Sequence, residues 1–273
     1  LNYEAGQKPD YSNIHIQQLY LLRYAFAYLY EYKSMFSVLF ERQNFENNIR
    51  VTSIGCGSII DYWGLVEALK EVSNRSCQIE YNGIDIIDWN YKIEKREKDK
   101  VFFKRGNAAN IFKKAERLFS HVYIFPKSIS EFTIDEFKDI CEGFKNSKFE
   151  NDKVHILISL RLDERSMDRD MDRSEQIISA MKENGFTTKD TSRRYYSFEE
   201  EERGIKGLDN KFNYPNEAIE ILKLLNEKCI TYKNKSKNCS DSCVKYLSRW
   251  PVMKVKNICF QVLSFDRKDM LWY

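Results

Sequence analysis

The sequence predicts an α/β fold built on a mostly parallel central sheet, and three observations carry that expectation. From about residue 50 onward, apolar strand-like runs alternate with amphipathic helical stretches, the pattern of parallel strands joined by crossover helices. Within it, Val51-Thr52-Ser53-Ile54-Gly55-Cys56-Gly57-Ser58-Ile59-Ile60-Asp61 reads as an interior strand, a glycine turn and a helix start, and Tyr81-Asn82-Gly83-Ile84-Asp85 follows as a strand ending in an acid. The chain of 273 residues holds only ten Gly and four Pro, which favours long regular elements, while 18 Phe, 17 Tyr and 4 Trp can fill a substantial core.

Residues 1–10 read as a loose end. From Ser12 to Glu41 nothing interrupts a helical reading, so one or two helices precede the first strand and would cap the sheet. Tyr20, Tyr24 and Tyr28 form an i, i+4 stripe there with Arg23 beside it; such a stripe serves core packing or faces a ligand. After the glycine turn, Leu65, Val66, Ala68, Leu69 and Val72 mark the buried face of a helix. Residues 79–84 are the second strand, Val101-Phe102-Phe103 a short third, and Ala108 to Phe119 a helix. His121 to Phe125 is a fourth strand ending in Pro126, and Thr133-Ile134-Asp135-Glu136 is a capping box opening a helix to about Phe144. Val154 to Leu160 is apolar enough for a central fifth strand; the helix after it carries Ile177, Ile178 and Met181 and stops at Gly185. Arg193 to Tyr196 lies in or near a sixth strand, Tyr214 to Lys228 is a helix with Pro215 at its start, and Ile258 to Phe265 is the final strand.

The glycine turn is where chemistry is expected. Gly55 and Gly57 let the backbone turn sharply and approach a ligand, and Asp85 stands where a ribose needs a carboxylate to accept from its hydroxyls. A dinucleotide loop wants a third glycine so that a pyrophosphate can reach the helix N-terminus. Ile60 occupies that position, and Asp61 beside it repels phosphate. The expected ligand is a nucleoside without phosphates but with a positive charge.

These residues resemble those of the class I S-adenosylmethionine-dependent methyltransferases over about residues 50–200. The resemblance implies a Rossmann-like fold whose last strand is antiparallel, an N-terminal helical cap over 1–48, a methyltransferase domain over 49–273, and an insertion at 200–256 that shapes the substrate site. It implies S-adenosylmethionine as cofactor, with Gly55, Gly57 and Ser58 along the methionine half and Asp61 holding the ammonium. It places Asp85 on the ribose, Ile86 beside the adenine, Asn107 and Ala108 at the adenine amino group, and Phe125 facing the methyl group. Asn107 departs from the family's acid at that place, and Ile59 from its further glycine. Phe125-Pro126-Lys127-Ser128 occupies the acceptor-side position but is neither the Asn/Asp-Pro-Pro-aromatic motif of amine methylation on DNA nor the Pro-Cys pair of cytosine C5 methylation. Lys127 and Ser128 are candidates for orienting an acceptor or activating its hydroxyl, and equally for capping a turn.

Composition narrows the partners. Between Lys228 and Lys256 eight basic residues face one acid, Asp241, while the whole chain carries +3, so the remainder is slightly acidic. With Tyr232, Tyr246 and Trp250 interleaved, this segment suits RNA or another nucleic acid as methyl acceptor. A small molecule or protein side chain is the alternative acceptor, and a non-catalytic nucleotide-binding module the alternative function. The longest charge-free apolar run of the first helix, Tyr24 to Tyr30, is far short of the ~20 residues that span a bilayer. Seven scattered cysteines and no leader segment imply a reduced, cytoplasmic setting rather than a disulfide framework. Cys229, Cys239, Cys243 and Cys259 lack paired Cys-x2-Cys turns, so no metal is expected. His121 and His155, on interior strands, are core residues or a general base for an oxygen acceptor.

Overall fold

The structure, a computed structural model, describes residues 9–72, 76–91, 94–161, 164–197, 204–206, 216–233 and 258–268. Its strands are β1 (Asn48–Ile54), β2 (Gln78–Asp85), β3 (Lys100–Arg105), β4 (Val122–Phe125), β5 (Lys153–Arg161), β6 (Phe186–Thr187), β7 (Tyr195–Ser197), β8 (Gly204–Lys206) and β9 (Ile258–Arg267). The order across the sheet is β8-β7-β9-β5-β4-β1-β2-β3, with β6 against one end of β9. Every pairing is parallel except those of β9, which runs antiparallel to β5, β6 and β7. This is the Rossmann-like arrangement with an antiparallel last strand that the resemblance implied.

The helices are α1 (Ile14–Arg42), α2 (Ile60–Glu71), α3 (Ala108–Lys113), α4 (Ile134–Asn146), α5 (Glu164–Glu183) and α6 (Asn216–Lys233). Each face of the sheet has its own core. On one face Met35, Phe36 and Leu39 of α1 and Leu65, Val66 and Leu69 of α2 pack on Val51, Ile79 and Leu157. On the other, Phe112 of α3, Phe144 of α4 and Ile177, Ile178 and Met181 of α5 pack on Ile54, Tyr123 and Ile156. Burial on both faces explains why the strands read as continuous apolar runs.

Residues 14–42 form one helix, started by the Asn13 side chain, which accepts from the His15 N–H at 2.9 Å. Its second half lies so close to α2 that a Cβ at Gly64 would stand 2.4 Å from the Tyr32 Cβ, an approach only glycine permits. Its first turns reach the loop after β2, where Gln17 and Gln18 hydrogen-bond to Asp88, Asn90 and Tyr91. The capping box at Thr133 and Glu136 is formed on α4. Helix α3 is shorter than its apolar pattern suggested. It ends at Lys113, because Arg117–Leu118 leave to pair with Lys148–Phe149 as a separate two-stranded ribbon, and Phe119 is exposed. No helix among the described residues is long and apolar enough to cross a membrane. The greater part of the 200–256 insertion and of the basic segment lies outside the described residues.

Candidate functional site

In an open parallel sheet, ligands bind beyond the carboxyl ends of the strands where the order reverses, here between β1 and β4. Register brings the site together. Ile54 of β1 pairs with Ile84 of β2, so the next residues, Gly55 and Asp85, stand side by side where β1 ends. The Gly55 and Cys56 N–H groups donate to the Ile84 carbonyl at 2.8 and 3.1 Å, and the chain turns with φ of +75° at Gly55, +54° at Gly57 and +57° at Ile59. The two glycines suit left-handed backbone; Ile59 holds it against its β-branched preference.

Asp85 is locked to this loop. One carboxylate oxygen accepts from the Gly57 N–H and the other from the Ile87 N–H, each at 2.8 Å. Burial raises its pKa above the usual carboxylate range, opposed by those two amide bonds. Ile86, next to it, is 62% exposed, an apolar surface at the mouth of the crevice. Ser58 is buried and its Oγ finds no hydrogen-bond partner among the described residues. The N-cap of α2 is Ile59, which supplies no side-chain acceptor to that helix's first amides. An orphaned hydroxyl and an exposed apolar shelf thus flank the glycine loop beside the Asp85 carboxylate, and a ligand with polar groups, a ribose and a flat base fits them.

Three residues assigned from the sequence are placed differently. Asp61 is enclosed beneath the loop, where both of its oxygens accept from the Tyr81 hydroxyl at 2.8 and 2.9 Å, and burial pushes its pKa up to about 6. Its α2 position turns it into the sheet side rather than the crevice. Asn107 spends its amide on structure. Its oxygen caps α3 by accepting from Ala109 N–H at 2.8 Å, and its nitrogen donates to Glu136 at 2.7 Å. Ala108 beside it is buried. Phe125 does not line the crevice: it is fully buried in the core against Phe132 and Phe137, because its position on β4 faces the α4 layer.

The acceptor side holds an ion pair that connects distant segments. Lys127, at φ +60°, directs its ammonium to Glu31 of α1 at 3.0 Å and donates to the Leu160 carbonyl at 2.5 Å. Glu31 is fully buried; Ser159 of β5 also donates to it, and its Oε2 finds no partner among the described residues. Burial raises the Glu31 pKa, and the Lys127 charge opposes that rise. Ser128 donates its hydroxyl to the Ile54 carbonyl and packs so closely on Gly55 that a Cβ there would lie 2.5 Å from the Ser128 Cβ. Both groups hold the β4 turn against β1 and α1.

Tyr24 and Tyr28 stack at 5.3 Å, with Arg23 over the first ring and Lys127 over the second. Sequence reasoning missed two residues here. Glu31 directly follows the charge-free apolar run Tyr24 to Tyr30, and one acid inside such a helix signals a buried partner. Trp89, in the polar run Asp88-Trp89-Asn90-Tyr91, is 5% exposed, and a large ring buried within a polar loop was the available signal.

His121 and His155 sit at the opposite, amino-terminal edge of the sheet, lining an open cavity of about 490 Å³. His121 Nδ1 accepts from Arg50 N–H at 3.0 Å, and His155 pairs with Ser264 at 3.0 Å, burial pulling its pKa down to about 3. Neither stands at the crevice. Among the described residues no group of three or more His, Cys, Asp or Glu is placed to hold a metal; Cys239 and Cys243 lie outside them.

No family model matches this chain, and no curated protein does. Among solved structures it is similar to the plantazolicin methyltransferase BpumL in complex with SAH, at 11% identity and TM-score 0.44 over 97% of this chain and 93% of that one. It is also similar to a SAM-dependent methyltransferase from Archaeoglobus fulgidus, at 14% identity and TM-score 0.39 over 86% of this chain and 94% of that one. The mycolic acid cyclopropane synthase CmaA1, complexed with SAH and CTAB, is similar at 9% identity and TM-score 0.41, over 84% and 82% of the two chains. All three likenesses are distant.

Proposed function

We propose that this chain is an S-adenosylmethionine-dependent methyltransferase. The observation that carries the reading is the one-for-one register of β1 and β2, which sets Gly55-Cys56-Gly57 against the Asp85 carboxylate at the switch point. Ile60 is buried where a diphosphate would need a third glycine, so a cofactor without phosphates fits and a dinucleotide does not.

Gly57 and Ser58, before the start of α2, would take the carboxylate end of the methionine half. Asp85 would accept from the ribose hydroxyls, keeping Gly57 in place with the same carboxylate, and Ile86 would cover the adenine. Bound there, S-adenosylmethionine would supply an electrophilic methyl on a positively charged sulfur. The protein's part is proximity: the acceptor must be held in line with its lone pair free and water kept out. Lys127 and Ser128 serve that part by fixing the β4 turn and are positioning residues, since Glu31 and the Ile54 carbonyl engage their polar atoms.

Asp85→Ala is expected to weaken S-adenosylmethionine binding by about 1.5–3 kcal/mol, the loss typical of hydrogen bonds to a charged group. Calorimetry on the folded variant checks this, and unchanged affinity would move the ribose site elsewhere.

As acceptor we propose RNA, supported by the basic, aromatic-interleaved segment 228–256. Retention of a single-stranded RNA on filters should fall steeply with salt, as each neutralised phosphate releases counterions. Lys233→Glu, Lys235→Glu and Lys237→Glu together should abolish it and leave cofactor affinity unchanged. Retention indifferent to salt and to these substitutions would favour a small-molecule or protein acceptor.

A further inference from the structure

Strand β3 has one covered face and one open face. Val101 and Phe103 pack on the core shared by α1 and α2. The loop before β3 is tied to that same side, where Arg96 N–H donates to the Tyr62 hydroxyl at 2.9 Å and the hydroxyl donates to Asp99 at 2.7 Å. On the opposite face the helix that follows β3 ends early: α3 stops at Lys113, and the chain leaves to pair with Lys148–Phe149. The alternate residues Lys100, Phe102 and Lys104 therefore meet water, with 55% of Phe102 exposed.

Register extends this open strip across the sheet. Phe102 pairs with Asn82 of β2, and Asn82 with Thr52 of β1, so a ring, an amide and a hydroxyl stand in one row. Thr52 and Ser120 share a hydrogen bond at 2.8 Å, and Phe119 beside Ser120 is a second exposed ring. Lys100 flanks the row on one side, with the acid Glu80 as its β2 neighbour, and Lys104 flanks it on the other. Same-face residues of a strand lie about 6.6 Å apart, so the Phe102 ring has an ammonium one step away in each direction. Lys33, Lys70 and Lys113 each hold a carboxylate, whereas Lys100, Lys104 and Arg105 have no ion-pair partner among the described residues. Lysines on an edge strand also discourage aggregation, but that use does not call for a bare phenyl ring between them.

We propose that the open face of β3 binds single-stranded RNA, with a base stacked on Phe102 and the phosphates on either side of it met by Lys100 and Lys104. This rests on the RNA reading of the acceptor above and gives it a contact surface besides segment 228–256. Base–aromatic stacking accepts any base, and cations spaced along a strand track the backbone. Asn82 and Thr52, in the same row, offer the donors and acceptors that unpaired base edges use. Past Lys104, Arg105 pairs with Asp85, so a nucleic acid chain lying along β3 runs toward the crevice. An acidic peptide added to the β3 edge would pair through backbone groups and would not need residue 102 to be aromatic.

The test is filter retention of a short unstructured RNA by the full chain across a salt series, with polyglutamate as competitor. Phe102→Leu keeps the apolar bulk and removes the aromatic face. It should weaken retention about 5- to 100-fold without changing the salt dependence, the range of one base stacked on one ring. Phe102→Tyr should keep the parent's affinity. Lys100→Gln with Lys104→Gln should also weaken retention, and should lower the slope of log affinity against log salt by about 1.4, the value for two phosphates of a single strand. All three side chains are exposed, so the variants should melt with the parent. If the unaltered protein retains RNA and the variants match it, the β3 site is overturned and the RNA reading stands on segment 228–256 alone. Polyglutamate that displaces the RNA at equal charge, with leucine as good as phenylalanine at 102, assigns the face to an acidic peptide and overturns the site as well. No retention by the unaltered protein at low salt is a separate result that overturns the RNA reading itself.

Discussion

Replacing Lys127 with methionine is expected to cost the fold about 3–5 kcal/mol, the price of leaving a buried charge without its partner. Glu31 has no exposure to water, its Oε1 faces the Lys127 ammonium at 3.0 Å, and Ser159 supplies its other hydrogen bond. With the ammonium gone, only the Ser159 hydroxyl opposes the effect of burial on Glu31, and its pKa rises further. The folded value then lies above the unfolded one. Stability of the variant is therefore greatest in acid, below the unfolded carboxylate value, and falls as pH rises through the folded one. Urea unfolding at pH 5 and pH 8 should show the larger deficit at pH 8, and adding Glu31→Gln should recover much of it. A Lys127→Met protein as stable as the parent at both pH values would show that the pair is solvated and leaves α1 unanchored.

Asp61 should make the unaltered protein lose stability as pH rises from about 4 to about 6. Its folded pKa is pushed up to about 6 from an ordinary value of 3.8, chiefly by burial. A carboxyl raised in this way costs nothing while both states are protonated. The cost grows between the two pKa values and levels off above the folded one, at about 3 kcal/mol by linkage. Asp61→Asn removes the titration but can still accept from the Tyr81 hydroxyl. Its new amide N–H groups lose about 1–3 kcal/mol if left unpaired, so the variant should be the weaker protein at pH 4 and gain on the parent steadily up to pH 7. Parallel stability curves for the two proteins would mean that the hydrogen bonds around Asp61 fully offset its burial and hold it ionised at no cost.

Features governed by local rules were legible in the sequence. The glycine loop, the capping box at Thr133 and Glu136, the stop at Gly185 and the apolar runs of β1, β4 and β5 each follow from backbone sterics, capping or two-sided burial, which neighbouring residues encode. The antiparallel β9 came from the family resemblance, since a strand's direction is not written in its own residues. What escaped depends on partners distant in the chain. Phe119 looked like the inner face of a long α3, but Glu116 and Leu118 offer their carbonyls to Lys148 and Glu150 instead. The bonds of Asn107, which caps α3 and donates to Glu136, were not legible either, because Glu136 lies on a helix packed from further along the chain. The alternation that sends Phe125 into the core rather than the crevice depends on which residue of β4 pairs with which of β5. Glu31 and Lys127 are nearly a hundred residues apart, as are Gln17 and Asn90 by more than seventy, and no local pattern joins either pair.

The measurement that bears most directly on the account is calorimetric titration of the intact protein with S-adenosylmethionine and, in parallel, with NAD. The loop has a buried isoleucine where a diphosphate needs glycine, a carboxylate fixed beside Gly57, and an orphaned Ser58 hydroxyl. It should bind S-adenosylmethionine at one site per chain and give no heat with NAD. Tighter binding of NAD, or no binding of S-adenosylmethionine, would contradict it.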